Sequence, residues 1–133
     1  MARSGVSNIG GVVKSLAAAK RKAIADAEKI VRRTAGDILT GVVEGTPEDT
    51  SVTIGDWHVG VNVTPSDKLD KPDVGGSAAK ARGQATILTG GLGDRINIVN
   101  NQDHVEGLNA GRAVSKPAGW IEAAIDNATR RRP

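Results

Sequence analysis

Asp49, Asp56 and His58 are the residues of this chain whose types and spacing come nearest to chemistry. An imidazole beside a carboxylate can exchange a proton near neutral pH, the pattern of general acid–base catalysis. Three features weigh against it. Asp49 already has a role in a turn sequence, no Ser/His/Asp or paired-carboxylate spacing stands out, and strand alternation puts His58 on the polar, solvent-facing side. His104 is the only other imidazole and there is no cysteine, so a histidine-based metal or acid–base site has little to draw on. Disulfides and thiolate chemistry are excluded, and zinc loses its usual ligands. The run Thr89-Gly90-Gly91-Leu92-Gly93-Asp94 has the glycines of a phosphate loop. Such a loop needs a strand before it and a helix after it, whereas here a strand follows. The chain is therefore read as having no catalytic residues, no metal and no cofactor.

The elements that would position any site are organised around Thr46-Pro47-Glu48-Asp49-Thr50. Pro47 fixes its own φ and biases Thr46 out of the helical region. The Thr46 hydroxyl can accept backbone N–H bonds, and Asp49 and Thr50 can close a turn on their own backbone. Before this turn, Ile9, Val13, Leu16, Ile24, Ala27, Val31, Ile38 and Val42 share one helical face, with Lys14, Arg21, Lys22, Lys29, Arg32 and Arg33 opposite and only Lys20 intruding on the stripe. The spacing predicts one long helix over 9–44, preceded by a mobile arm over 1–8. After the turn, 51–64 alternates: Val52 and Ile54 lie on one side, and Trp57, Val59, Val61 and Val63 share a face, which predicts a strand.

The stretch 65–83, with Pro65, Pro72, Gly75 and Gly76 among Ser, Asp and Lys, reads as a long flexible loop with at most a helical turn at Ala78–Ala81. A short helix over 84–92 and a second strand over 95–100 follow. Val105 to Ala110 can make one helical turn ended by Gly111. A last helix, with Ser115 as cap and Pro117 in its first turn, would bury Trp120, Ile121, Ala124, Ile125 and Ala128. The expected fold is α+β: the long N-terminal helix packed on a small, mainly antiparallel sheet, with a C-terminal helix over the same core.

Composition limits that core. The 133 residues suffice for one domain, but there is no Phe or Tyr, only two Trp, and seventeen glycines. A thin aliphatic core favours a subunit that leans on its neighbours. Charge is unevenly placed. Residues 1–35 hold eight Lys/Arg against two acids, Arg130 to Arg132 end the chain, and 36–129 hold seven basic against thirteen acidic side chains. Basic ends around an acidic middle do not gather cations on one face, as a nucleic-acid footprint does, and they suit head-to-tail contacts between copies. In the 65–83 loop Asp67, Asp70 and Asp73 alternate with Lys68 and Lys71, making them candidate contacts to a neighbour whose basic helix carries Arg21 and Arg32. No apolar run approaches the ~20 residues of a membrane span, and the start lacks a signal-like apolar core. A soluble protein of a reducing compartment is expected.

The order of these elements and motifs resembles the bacteriophage tail-completion, or head–tail joining, proteins of the neck, including the minor tail protein Z type. That family opens with a long amphipathic helix, then a T-P-x-D-T-G turn and a Trp-containing strand. Thr46, Pro47, Asp49, Thr50 and Trp57 match, with Ser51 where the family prefers Gly. Gly93, Asp94, Asn100, Asn101, Leu108, Gly111, Pro117 and Gly119 fit its later pattern, while His104 and Val105 replace a Tyr-Ala pair, Asn109 a Glu, and Lys116 an Ala. The resemblance covers most of the chain. It implies a structural virion protein without an active site, assembled in the host bacterial cytoplasm into a homo-oligomeric ring. That ring would meet the portal-side connector of the head and the tail terminator or tail tube, with genomic DNA passing its channel and no membrane involved. The alternative is a basic nucleic-acid-binding protein, which the acidic middle and the lack of stacking aromatics disfavour.

Overall fold

The computed structural model describes residues 5–48, 51–112 and 118–130. Helix α1 (Gly5–Gly45) runs 41 residues without a break, about 60 Å at 1.5 Å per residue. Its local sequence is sufficient reason: Ala17-Ala18-Ala19 and the surrounding Lys, Arg and Glu are strong helix formers, and no proline interrupts them before Pro47. The helix begins at Gly5, so 5–8 are its first turn rather than part of an arm.

Only the C-terminal half of α1 belongs to the core. Ala35, Leu39, Val42 and Val43 are buried with Ile54, Trp57, Ala79, Ile87, Trp120 and Ala124. From Ile9 to Asp26 every residue is exposed. The expected stripe therefore exists, but its first half packs against nothing among the described residues: Ile9 is 60%, Val13 58% and Leu16 64% exposed. The first ties to the body are Arg32 Nε donating to the Gly90 carbonyl (2.8 Å) and Glu28 Oε2 accepting from the Leu92 N–H (3.1 Å).

After the Thr46–Pro47 turn the chain makes a single helical turn, α2 (Val52–Gly55), where alternation predicts strand. Ser51 is the cause. It adopts a left-handed φ of 59°, which reverses the chain and lets its carbonyl accept from Gly55 N–H (3.3 Å) and Asp73 N–H (3.0 Å). Strand β1 (Trp57–Val61) pairs antiparallel with β2 (Ile96–Asn100), with Trp57 opposite Asn100 and Val61 opposite Ile96. Val63 lies beyond the strand and is exposed. A two-stranded ribbon is marginal alone. Helix α3 (Ser77–Ile87) supports it, lying between α1 and β1.

The sequence expectation of a flexible 65–83 loop and an 84–92 helix is thus redrawn: 77–83 are the first two turns of α3, preceded by a 3-10 turn at Val74–Gly76. Asp73 makes that start possible. Its carboxylate accepts from the Ala78 (3.3 Å) and Ala79 (2.9 Å) N–H groups, satisfying otherwise orphan donors of the first turn. Gly76 has a φ of 74°, and a Cβ there would meet Val43 Cγ1 at 2.2 Å. At Gly83 a Cβ would stand 2.4 Å from Leu39 Cδ2 and 3.0 Å from Val59 Cγ2, so α3 touches both α1 and β1 through its bare backbone.

A short helix α4 (Val105–Gly107) opens into a wide turn at Leu108–Arg112. Helix α5 (Trp120–Thr129) then crosses α1, with Ala124 against Gly41 and Trp120 against Gly45. Trp120, Ala124 and Ala128 are buried and Ile121 is partly so, but Ile125 is 43% exposed and does not cover the core. The expected α+β class holds, with α1 contacting mainly α5 and α3 while α3 backs the sheet. Gly83→Val should lower stability by about 1–3 kcal/mol through overpacking, read as a fall in melting temperature. Gly10→Ala, with open space around its Cβ, should raise helical circular dichroism and leave the melting temperature unchanged.

Candidate functional site

Two places in the structure concentrate polar or apolar groups beyond what the elements themselves require. The first is buried. Asp56 follows α2 directly and is fully buried, and each contact to its carboxylate comes from a different segment. Oδ1 accepts from His58 Nε2 (2.5 Å) and from the Leu69 N–H (2.8 Å), and Oδ2 accepts from Gln102 Nε2 (2.9 Å). Gln102 also donates to the Leu69 carbonyl (3.3 Å) and to Asp70 Oδ1 (3.2 Å). His58 is buried, contrary to the solvent-facing position that alternation predicts. A carboxylate two residues earlier in the chain supplies a partner that makes an inward imidazole tolerable. Arg82 Nη2 caps the same region by donating to the Gly55 and Trp57 carbonyls (3.0 Å each).

From the sequence, Asp56 and His58 are candidates for catalysis that the surroundings disfavour, with His58 read as solvent-facing, and nothing points to Gln102 or Arg82. A polar residue in a loop or on a helix carries no periodic signal, so nothing local marks either one. Chemically the arrangement is a hub: one carboxylate joins α2, β1, the 64–73 segment and the chain after β2. A depression of about 450 Å³ beside His58 is lined by Thr64, Ser66 and Arg82.

The residues matched to the family pattern fall mostly at joints. Thr46 and Pro47 are buried. Thr46 Oγ1 donates to the Val42 carbonyl (2.6 Å) and accepts the Trp57 indole N–H (2.8 Å), rather than accepting backbone N–H bonds. Asp49, Thr50, Ser115 and Pro117 lie outside the described residues. Gly93, Gly111 and Gly119 adopt φ values of 89°, 98° and 81°. Asp94 accepts from Gly91 N–H (2.8 Å) and Asn62 Nδ2 (2.9 Å), filling with its own carboxylate the glycine turn that was weighed as a phosphate loop.

Asn100 Nδ2 donates to the Thr53 carbonyl (2.7 Å), and Asn101 Nδ2 to the Pro65 (3.2 Å) and Asp67 (2.6 Å) carbonyls. The Leu108 carbonyl accepts the Trp120 indole N–H (3.2 Å). Asn109 provides the cap of α5, its Oδ1 accepting from Ile121 N–H and its Nδ2 donating to Glu122 (2.9 Å each). His104 Nε2 bonds Thr53 Oγ1 (2.9 Å). Hydrogen bonds from Asn62 and Asn109 hold the Asp94 and Glu122 carboxyls below the ordinary carboxylate range. Whatever these two exposed groups add to stability is present above that range and is lost as pH falls through the lowered values.

The residues proposed to meet a neighbour divide. Lys68 pairs with Asp103 (3.2 Å), Asp70 with Gln102, and Asp73 with α3, so the 64–73 segment is pinned to its own chain. Arg32 is held by Gly90. Arg21, Asp67 and Lys71 have exposed side chains.

The second concentration is the exposed half of α1. Ile9, Val12, Val13 and Leu16 stand at i, i+3, i+4 and i+7, followed by Ile24 and Ile30, and all six are exposed. Lys14, Arg21 and Lys22 lie to the side of them, Lys20 falls on the stripe between Leu16 and Ile24, and Asp26 pairs with Lys22 at 2.7 Å. An apolar stripe of this length, interrupted by Lys20 alone, on an otherwise solvated helix marks an interaction surface. Comparison with family models, with curated proteins and with solved structures gives no match for this chain.

Asp56→Asn should cost about 3 kcal/mol in urea unfolding, because an amide presents N–H groups to donors that need an acceptor. Amide exchange at Leu69 should quicken in the same variant.

Proposed function

We propose that this chain is a structural subunit of a bacteriophage neck. Its copies form a ring that joins the head connector to the tail terminator or tail tube and leaves a channel for the genome. One observation carries the reading: half of a 41-residue helix extends from the body with its apolar face uncovered. An apolar surface of that size is stable in water only as a transient state or inside an assembly. The order of family-like motifs along the chain supports the same reading, since Trp57, Asn100, Asn101, Leu108 and Gly119 sit at joints that fix the body behind the helix. Ser51 gives more specific support, because a left-handed φ at that position is what the glycine of the family turn would supply.

Nucleic-acid binding is the second reading, favoured by the basic flank of the same helix. In the neck reading that flank faces acidic surface or the channel and makes no sequence-specific contact.

Purified protein examined by electron microscopy, alone and with a head connector of its phage, should show closed rings, with connector particles capped by one ring. Particles that stay monomeric with the connector present would contradict the neck reading. DNA affinity falling steeply with salt, in the absence of any ring, would favour the second reading instead.

A further inference from the structure

The exposed half of α1 has a counterpart on the same molecule. Along the flank where α1 crosses α5, a depression of about 530 Å³ is floored by small groups, including Gly41, Ala123, Ala124 and Ala128, with Asp37 and Asn127 at its edge. A second depression of about 520 Å³ adjoins it through Ala123 and is lined by the exposed Ile125 together with Glu122 and Asp126. Glu44, on the same side of α1 as Asp37 and Gly41, adds an exposed carboxylate nearby. Asp126 is neutralised by Arg130 (3.1 Å), whereas Glu122 is bonded by the uncharged Asn109 amide, so Glu44 and Glu122 are the acidic rim.

From this we infer that the chain associates head to tail: residues 9–24 of α1 from one copy lie in the α1/α5 groove of the next. The inference rests on the ring reading and names the surfaces that would build it. Ile9, Val12, Val13 and Leu16 have the anchor spacing by which an amphipathic helix fills an apolar groove. The floor of glycine and alanine admits such anchors close to the backbone. Charge selects the pairing. The flank of the helix is basic and the groove is rimmed with carboxylates, whereas two exposed α1 halves laid together would oppose Lys14, Lys20, Arg21 and Lys22 to the same residues. A straight helix cannot fold back onto its own groove, so the contact is between copies. It uses two different patches, and such heterologous contacts close into a ring when the rotation between copies permits.

Mixing two variants tests this. Val13→Glu/Leu16→Glu spoils the helix and leaves the groove. Ala123→Arg, with Asn127→Arg as a second choice, spoils the groove and leaves the helix; all four side chains are exposed. By analytical ultracentrifugation wild-type protein should pass beyond the dimer. Each variant alone should remain monomeric with unchanged circular dichroism, its association weakened by about 100-fold or more, as expected for hot-spot positions. Their equimolar mixture should form dimers and nothing larger, since one intact helix and one intact groove remain. If the groove variants assemble as well as wild type, this docking is wrong while the ring reading stands. Wild-type protein that stays monomeric at high concentration, or that binds anionic vesicles as a monomer through the same helix, also overturns the inference. The neck reading is then judged separately by whether the connector recruits the chain.

Discussion

The Thr46 hydroxyl is the contact on which the rest of the body depends. It is fully buried, and it spends its hydrogen on the Val42 carbonyl at the end of α1 and its lone pair on the Trp57 indole at the start of β1. In a core without Phe or Tyr, that bond sets the position of one of only two aromatic side chains. Trp57 meets the second, Trp120, edge to face, with centroids 6.3 Å apart and planes at 84°. Such pairs contribute about 0.5–1.5 kcal/mol beyond the area they bury. Trp120 in turn donates to the Leu108 carbonyl, so one chain of contacts runs from α1 through the sheet and α5 to the turn after α4. Pro47 ends the helix in the right place for this to happen.

What the sequence made legible follows from which signals are local. The helical period and the Ala-rich, Pro-free run made α1 readable, and the Trp57–Val61 and Ile96–Asn100 alternation made the antiparallel pair readable, because each residue reports its own environment. Burial of the first half of α1 was not readable. A stripe facing solvent and a stripe facing a core have the same spacing, and only the length of the body behind it decides. Val52 to Gly55 alternates like a strand yet turns as a helix, because Ser51 reverses the backbone one residue earlier. His58 was misplaced for a similar reason: period-two logic assigns polar residues outward, but a buried Asp56 reverses that assignment. The 64–73 segment looked flexible from its composition, whereas its order comes from backbone groups bonded by Asp56, Asn101 and Gln102, residues far from it in sequence.

These two halves give the molecule its asymmetry. The body is thin in apolar side chains and compensates with buried polar joints, each linking segments distant along the chain. Such joints specify geometry more than they add stability. The extended half of α1 is the reverse: its order comes from intrinsic helix propensity, and its aliphatic face has no partner among the described residues. A basic lever on an acidic body can be held by another copy with little change in either shape, which suits a subunit that must assemble at one place and not elsewhere.

The central claim is that a second copy covers the apolar face of α1. Hydrogen exchange of residues 9–26 across a dilution series measures this directly. An isolated helix of this length frays and exchanges quickly, whereas a docked one is protected. The account predicts protection that rises with protein concentration in step with association. Exchange in 9–26 that stays fast in the fully assembled protein, while the ring is intact, would contradict it.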